Sequence, residues 1–245
     1  MSETSCFWLG NSCSLNHGII LTAPPPIVFA EREIEAVSVA GRSGDLIFDT
    51  GRYKNVPIPY ECAIIPEAGN SLRDTAVSAL NLLRSAAGYS RLENTFQKDT
   101  FRVGRVASKI SIESIMEQAG RFTVEFDCKP QRFKKSGEKA VPFSVEGQIW
   151  NSTEFEALPL IYVYGSAAGT VMVGGTTVEI KEISDQIILD CDIQNAYRQV
   201  ADSAPENCNG MIYAPEFPKL LPGLNPVSFA GGISKVEIIP RWWTL

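Results

Sequence analysis

The chain has 245 residues, room for one large or two smaller domains that each bury a core. Apolar residues make up 44% and charged residues 20%, which excludes a disordered chain. The 22 basic and 28 acidic residues leave a net charge of −6, so no basic excess points to a nucleic-acid partner. No apolar run approaches the ~20 residues of a membrane helix.

Near the N-terminus, Glu3 stands where a secretory signal would be basic, and Gly10, Asn11 and Ser12 interrupt any apolar run. The expectation is a chain that folds in the compartment where it is made. Six cysteines, at positions 6, 13, 62, 128, 191 and 208, are spread along it. Without an export signal they read as buried reduced thiols rather than as a disulfide framework. Cys6 and Cys13 lie seven apart beside the lone His17, but no CxxC pair is present, so no metal site is expected.

The dominant pattern is β. Glu31, Glu33 and Glu35 alternate with Arg32, Ile34 and Ala36 and fall on the wet face of a strand. Between Ala40 and Tyr53, Gly41, Gly44, Asp49 and Gly51 read as turn residues around a short strand, Leu46 to Phe48. Val56, Ile58, Tyr60 and Cys62 alternate with Pro57, Pro59 and Glu61. Two prolines on one face cannot donate ladder hydrogen bonds, so this strand belongs at an edge or beside a bulge. Residues 71–87 differ: Leu72, Ala76, Leu80 and Leu83 share a helical face, with Asn70 or Ser71 as cap, Asp74 at the positive end and Gly88 as stop. Phe122, Val124, Phe126 and Cys128 alternate with charged and polar neighbours, the mark of a strand with one buried face.

From Lys129 and Pro130 the apolar period lapses into Arg132, Lys134, Lys135, Gly137, Glu138 and Lys139. Such a run suits a solvated connector, with phosphate contact as the other reading. Short strands then recur at 160–163, 170–173, 176–180, 187–189, 227–229 and 236–239, indicating a second all-β domain, a sandwich or jelly roll. Residues 201–223, rich in Pro, Asn and Gly, read as a long loop within it.

The sequence carries no complete catalytic motif. No GxGxxG or GxxxxGK[ST] phosphate loop is present. Gly41, Arg42, Ser43 and Gly44 resemble a nucleophile elbow, but the second glycine falls one position early. A Ser–His or Cys–His pair would have to use His17. Asp185, Asp190 and Asp192 form a second carboxylate group, yet glycosidase chemistry needs two carboxylates roughly 5 to 9 Å apart across a cleft. No catalytic, cofactor or metal residue is therefore assigned. Trp8, Trp150, Trp242 and Trp243 either close strands, with Trp242 and Trp243 pointing to opposite sides, or stack on sugars in a lectin-like domain.

Several stretches together resemble the distal tail (Dit) family of siphophages. Residues 37–46 and 50–58 are similar to its V-P-G-R-x-G turn and following glycine-tyrosine strand start, with Ala40 in place of the usual proline. The resemblance continues through the helix at 71–87 into residues 120–130, then 151–166, 217–225 and Pro240, Arg241, Trp242 and Trp243. It implies a mainly β fold: an N-terminal β-sandwich with one helix over 1–130, a linker over 131–148, and a galectin-like or jelly-roll sandwich over 149–245. It also implies a non-enzymatic virion protein, made in the host cytoplasm, whose homohexameric ring joins the tail tube protein to the tail-tip hub protein. The C-terminal domains can hold receptor-binding proteins; no cofactor, specific nucleic acid or membrane insertion is implied. The alternative is a monomeric carbohydrate-binding β-sandwich protein.

Overall fold

The computed structural model describes residues 4–66, 69–85, 88–107, 113–115, 119–201 and 203–245. They form two compact units, residues 1–132 with Leu245, and residues 133–244. None of the described helices is long and apolar enough to cross a membrane.

The first unit contains β1 (Phe7–Leu9), β2 (Ser12–Cys13), β3 (Ile19–Leu21), β4 (Arg32–Val37), β5 (Leu46–Tyr53), β6 (Val56–Ile64), α1 (Leu72–Ser85), β7 (Ser90–Asn94), β8 (Thr100–Val106), β9 (Glu113–Ile115) and most of β10 (Ala119–Lys134). Its sheet runs β2-β1-β7-β8-β10-β6-β3, with β9 on β10. The alternation of β10 is realised: Phe122, Val124, Phe126 and Cys128 are buried while Arg121, Thr123 and Glu125 are exposed. Phe126 packs edge-on against Phe7 at 5.7 Å and Tyr60 at 5.0 Å, geometry that suits the ring quadrupoles.

β6 behaves as its prolines require. It pairs along its length with β10, Val56 opposite Cys128 through Ile64 opposite Gly120, whereas β3 pairs only with residues 62–64. The Glu61 carbonyl accepts from Thr22 N–H on the side away from β10, at 3.0 Å. Backbone polarity alternates along a strand. Pro57 and Pro59 therefore face that same side, where β3 has ended and no ladder donor is needed.

α1 starts as expected: the Asp74 N–H donates to Ser71 Oγ at 3.1 Å, and the Ser71 hydroxyl donates to Asp74 Oδ2 at 2.6 Å, a reciprocal cap. Its buried stripe is rotated from the expected one. Thr75, Ala79, Leu82 and Leu83 are buried, while Leu72, Ala76 and Leu80 are half-buried. Ala86 and Ala87 lie outside the described residues. Arg102 is buried, and its guanidinium donates to the carbonyls of Val28 (3.2 Å) and Pro130 (3.4 Å). Burial lowers its pKa.

The second unit contains β11 (Val141–Phe143), β12 (Gly147–Asn151), β13 (Leu160–Val173), β14 (Thr176–Ile180), β15 (Asp185–Asp190), β16 (Asn195–Arg198), β17 (Glu206–Asn207), β18 (Ile212–Tyr213) and β19 (Gly223–Ile239). The strands expected at 160–163 and 170–173 are halves of β13, and those at 227–229 and 236–239 are halves of β19. The two long strands pair with each other, and their register shifts between Tyr164 and Gly169. One half of the pair extends through β15 and β11; the other extends through β14 and β12. Val163, Leu189 and Val236 from the first half share one core with Ile149, Val171, Val178 and Val227 from the second. The bent sheet is thus folded into a β-sandwich. A Cβ on Gly169 would sit 2.3 Å from the Ala230 carbonyl oxygen, so the bend requires glycine there.

Two stretches carry more structure than expected. Within 131–148 lie the end of β10, a 3-10 turn (Lys135–Glu138), β11 and the start of β12. Lys134 N–H donates to the Trp242 carbonyl at 2.8 Å, and Gly137 is buried so close to Trp242 that a Cβ would overlap its backbone. The loop expected over 201–223 carries β17, a 3-10 turn (Asn209–Met211) and β18, and Leu220 exchanges 2.9 Å backbone bonds with Ala157. Backbone pairing, which has no side-chain period, orders both stretches.

Candidate functional site

β4 and β5 form a two-stranded sheet of their own, joined by an eight-residue connection, residues 38–45. The short strand expected at 46–48 continues to Tyr53. The register shifts between Arg32 and Ile34, where Gly51 adopts φ +75° and its N–H donates to Asp49 Oδ1 at 2.9 Å. This is a bulge that a Cβ would strain.

The hairpin exposes apolar side chains on both faces. Val37 lies opposite Leu46 and Glu35 opposite Phe48; on the other face Ala36 lies opposite Ile47 and Ile34 opposite Asp49. Ile34, Ile47 and Phe48 are each more than half exposed (52, 57 and 56%), as are Ile27 and Phe29 on the incoming chain. A two-stranded ribbon with both faces exposed is marginal in water, and its large exposed apolar side chains make it a candidate contact surface.

Exposed ion pairs also link the two chains of the hairpin. Arg32 pairs with Asp49 at 2.6 Å, Arg52 with Glu33 at 2.8 Å and Lys54 with Glu31 at 3.5 Å. The Gly51 N–H and the Arg32 guanidinium hold the Asp49 carboxyl below its ordinary pKa. The expected wet glutamate face thus carries ion pairs, and Ile34 and Ala36, which alternate with the glutamates, are exposed as well. Gly41, Arg42, Ser43 and Gly44 lie in the hairpin connection, not in a strand-to-helix turn, which removes the nucleophile-elbow reading.

The remaining candidates are dispersed. His17 Nδ1 shares a 2.9 Å hydrogen bond with Ser78 Oγ, in an open cavity of about 130 Å³ lined also by Asn16, Asn70 and Asp74. Asp190 is buried and takes a bidentate bond from Arg241, at 2.6 and 3.1 Å. Burial opposes the Arg241 charge, and the Asp190 hydrogen bond and charge outweigh it, raising the Arg241 pKa. Asp192 N–H donates to Asp190 Oδ1 at 3.2 Å, but Asp185 lies at the opposite end of β15 from Asp190, so the three aspartates do not converge on one site. Among the described residues no group of three or more His, Cys, Asp or Glu is placed to hold a metal ion. Arg132 from the basic run donates to the Leu245 carbonyl oxygen at 2.9 Å. Trp242 is buried, whereas Trp243 stacks on Phe155 at 4.4 Å and donates to the Glu156 carbonyl. Trp150 is 63% exposed on β12, opposite the exposed Leu224.

No family model and no curated protein matches the chain. Solved structures do. The Dit protein (gp 19.1) of phage SPP1, described as a paradigm of the hub adsorption apparatus in phages infecting Gram-positive bacteria, aligns with a TM-score of 0.73. The alignment covers 99% of this chain and 100% of that one, at 9% identity. The chain has the Dit fold. A chain of the phage p2 baseplate in its activated conformation, solved with strontium and again with calcium, aligns in each case with a TM-score of 0.54, 10% identity and 96% coverage of both chains. The resemblance carried by motif order is thus borne out at the level of fold, including the mainly β class and, among the described residues, one α-helix. At 9 to 10% identity, side chains in the Dit fold have been almost wholly replaced, so the likeness lies in topology.

Proposed function

We propose that this chain is a distal tail protein of a long-tailed phage, a structural subunit rather than an enzyme. Six copies close into a ring through their N-terminal units, joining the tail tube to the tail-tip hub protein at the distal end of the virion. The C-terminal units offer attachment points for receptor-binding proteins. The observation that carries this reading is the full-length alignment with the SPP1 Dit protein, end to end in both chains. The β4–β5 hairpin supplies a physical means. A ring needs two different patches on each subunit that meet head to tail, and it closes when each step turns by about a sixth of a circle. An apolar ribbon bared on both faces is one such patch, and a neighbouring copy is the partner that buries it. Light scattering should give a mass of six subunits, and electron micrographs of the purified protein should show six-fold rings. A stable dimer, or an open filament that lengthens with concentration, would refute the closed ring.

Trp150 favours one second reading. Its ring is more than half exposed, with Gly223 and Leu224 opposite Asn151 and itself on the neighbouring strand, a flat surface on which a sugar face could stack. Under that reading the protein is a monomer that binds glycans, and Trp150→Ala abolishes glycan binding. A hexamer without glycan binding separates the two.

A further inference from the structure

We propose that Cys6 and Cys13 are a reactive thiol pair that closes to a disulfide by exchange with a low-molecular-weight disulfide, while the other four cysteines stay reduced. The proposal stands on the geometry of the pair and does not depend on the ring.

The Sγ atoms of Cys6 and Cys13 lie 3.9 Å apart. Cys13 lies opposite Trp8 in the β1–β2 pairing, so Cys6, two residues before Trp8, projects on the same face one diagonal step away. Both backbones are held. Cys6 N–H donates to Thr95 Oγ1 at 3.1 Å, and the Cys6 carbonyl accepts from Thr95 N–H at 3.0 Å. Beside Cys13, Ser14 Oγ accepts from Phe7 N–H at 3.1 Å and donates to the Ile19 carbonyl at 3.0 Å. In the proposed step the two sulfurs close from 3.9 Å to an S–S bond of about 2.05 Å at the tight β1–β2 turn.

The two thiols are unequal in a way that sets the order of steps. Cys13 is partly exposed, whereas Cys6 is buried. The Cys13 thiolate attacks one sulfur of the reagent, forming a mixed disulfide and releasing one thiol. Cys6, deprotonated in its turn, attacks the Cys13 sulfur and releases the second. The two cysteines together lose two electrons and two protons, and the reagent disulfide is reduced to two thiols. Selectivity follows from access and proximity: Cys13 is the partly exposed thiol that the reagent reaches, and Cys6 is the thiol within reach of it. Cys62, Cys128, Cys191 and Cys208 are all buried, and Cys62 and Cys128 sit opposite Phe122 and Val56, six residues apart along the paired β6 and β10. Burial pushes Cys62, Cys128 and Cys191 up to about 12, which suppresses the thiolate that exchange requires. In a virion the step would follow release from a reducing cytoplasm to an oxidising exterior.

The test uses the intact folded chain, incubated with oxidised glutathione, quenched with iodoacetamide in denaturant and weighed by mass spectrometry. The untreated chain should carry six adducts and the oxidised chain four, six less the closed pair, with Cys6 and Cys13 linked in one peptide. Cys13→Ser should retain adducts at all five remaining positions after the same treatment. Cys13→Ala, tested alongside, keeps the comparison open if the serine variant folds poorly. Retention of all six adducts, glutathione left on Cys13 without release, or a bond joining any other cysteines would each overturn the proposal.

Discussion

Phe48 provides the sharpest test of the hairpin as an assembly surface. The ring is 56% exposed, so about 110 Å² of a side-chain surface of roughly 200 Å² awaits a partner. At ~25 cal/mol per Å², burying that area on association contributes about 2.8 kcal/mol. Phe48→Ser should therefore weaken each subunit contact about 100-fold. The isolated subunit should hardly notice: an exposed substitution away from core, caps and ion pairs changes stability by about 0.5 kcal/mol or less. Sedimentation velocity over a concentration series reads the first effect, and urea unfolding at low concentration reads the second. An unchanged assembly midpoint would refute the assignment of Phe48 to an interface. A loss of about 3 to 5 kcal/mol in the subunit would mean that the ring belongs to a core instead.

Asp190→Asn leaves the half-buried Arg241 guanidinium without its counter-charge and should cost about 3 kcal/mol, seen as a lower urea midpoint with unchanged slope. Alkaline pH should also destabilise the fold. Cys62, Cys128 and Cys191 ionise at about 12 in the folded chain but from an ordinary 9.0 when unfolded, so their contribution is complete below pH 9 and is lost as pH rises towards 12. Urea midpoints taken at stepped pH should fall across that window, and less steeply in Cys128→Ala; a rise would contradict the sign. Brief trypsin treatment should cut first after Arg42 in the exposed hairpin connection. Lys134 and Lys135 should resist, because the chain there is hydrogen-bonded to Trp242 and packed beneath it through Gly137. N-terminal sequencing of the first fragments distinguishes the two sites.

Local pattern alone determined a good part of this protein. The alternation at 121–128 specified a strand and its buried face, because a period of two admits one solution when half the residues are apolar. Pro57 and Pro59 specified an open edge, because a residue without an N–H cannot serve a ladder on that side. Ser71 and Asp74 specified where the helix begins, since a cap acts within one turn. The order of these segments, rather than residue identity, carried the resemblance to the Dit family.

Tertiary structure decided what depends on residues distant in sequence. Helical rotation was set by the surface α1 covers, which is why Ala79 and Leu82 are buried while Leu80 is only half-buried. The separate strands expected at 160–163 and 170–173 are one strand that bends between Tyr164 and Gly169, a distinction made only by the partner strand at 223–239. The hairpin at 32–53 has an ordinary amphipathic pattern, and only the absence of a described third strand beside it reveals its apolar residues as bare. Cys6 and Cys13 are seven apart in sequence, a spacing without meaning until the β1–β2 turn folds them to one face. In each case the deciding quantity is which surfaces meet, and a single sequence encodes that only through the fold.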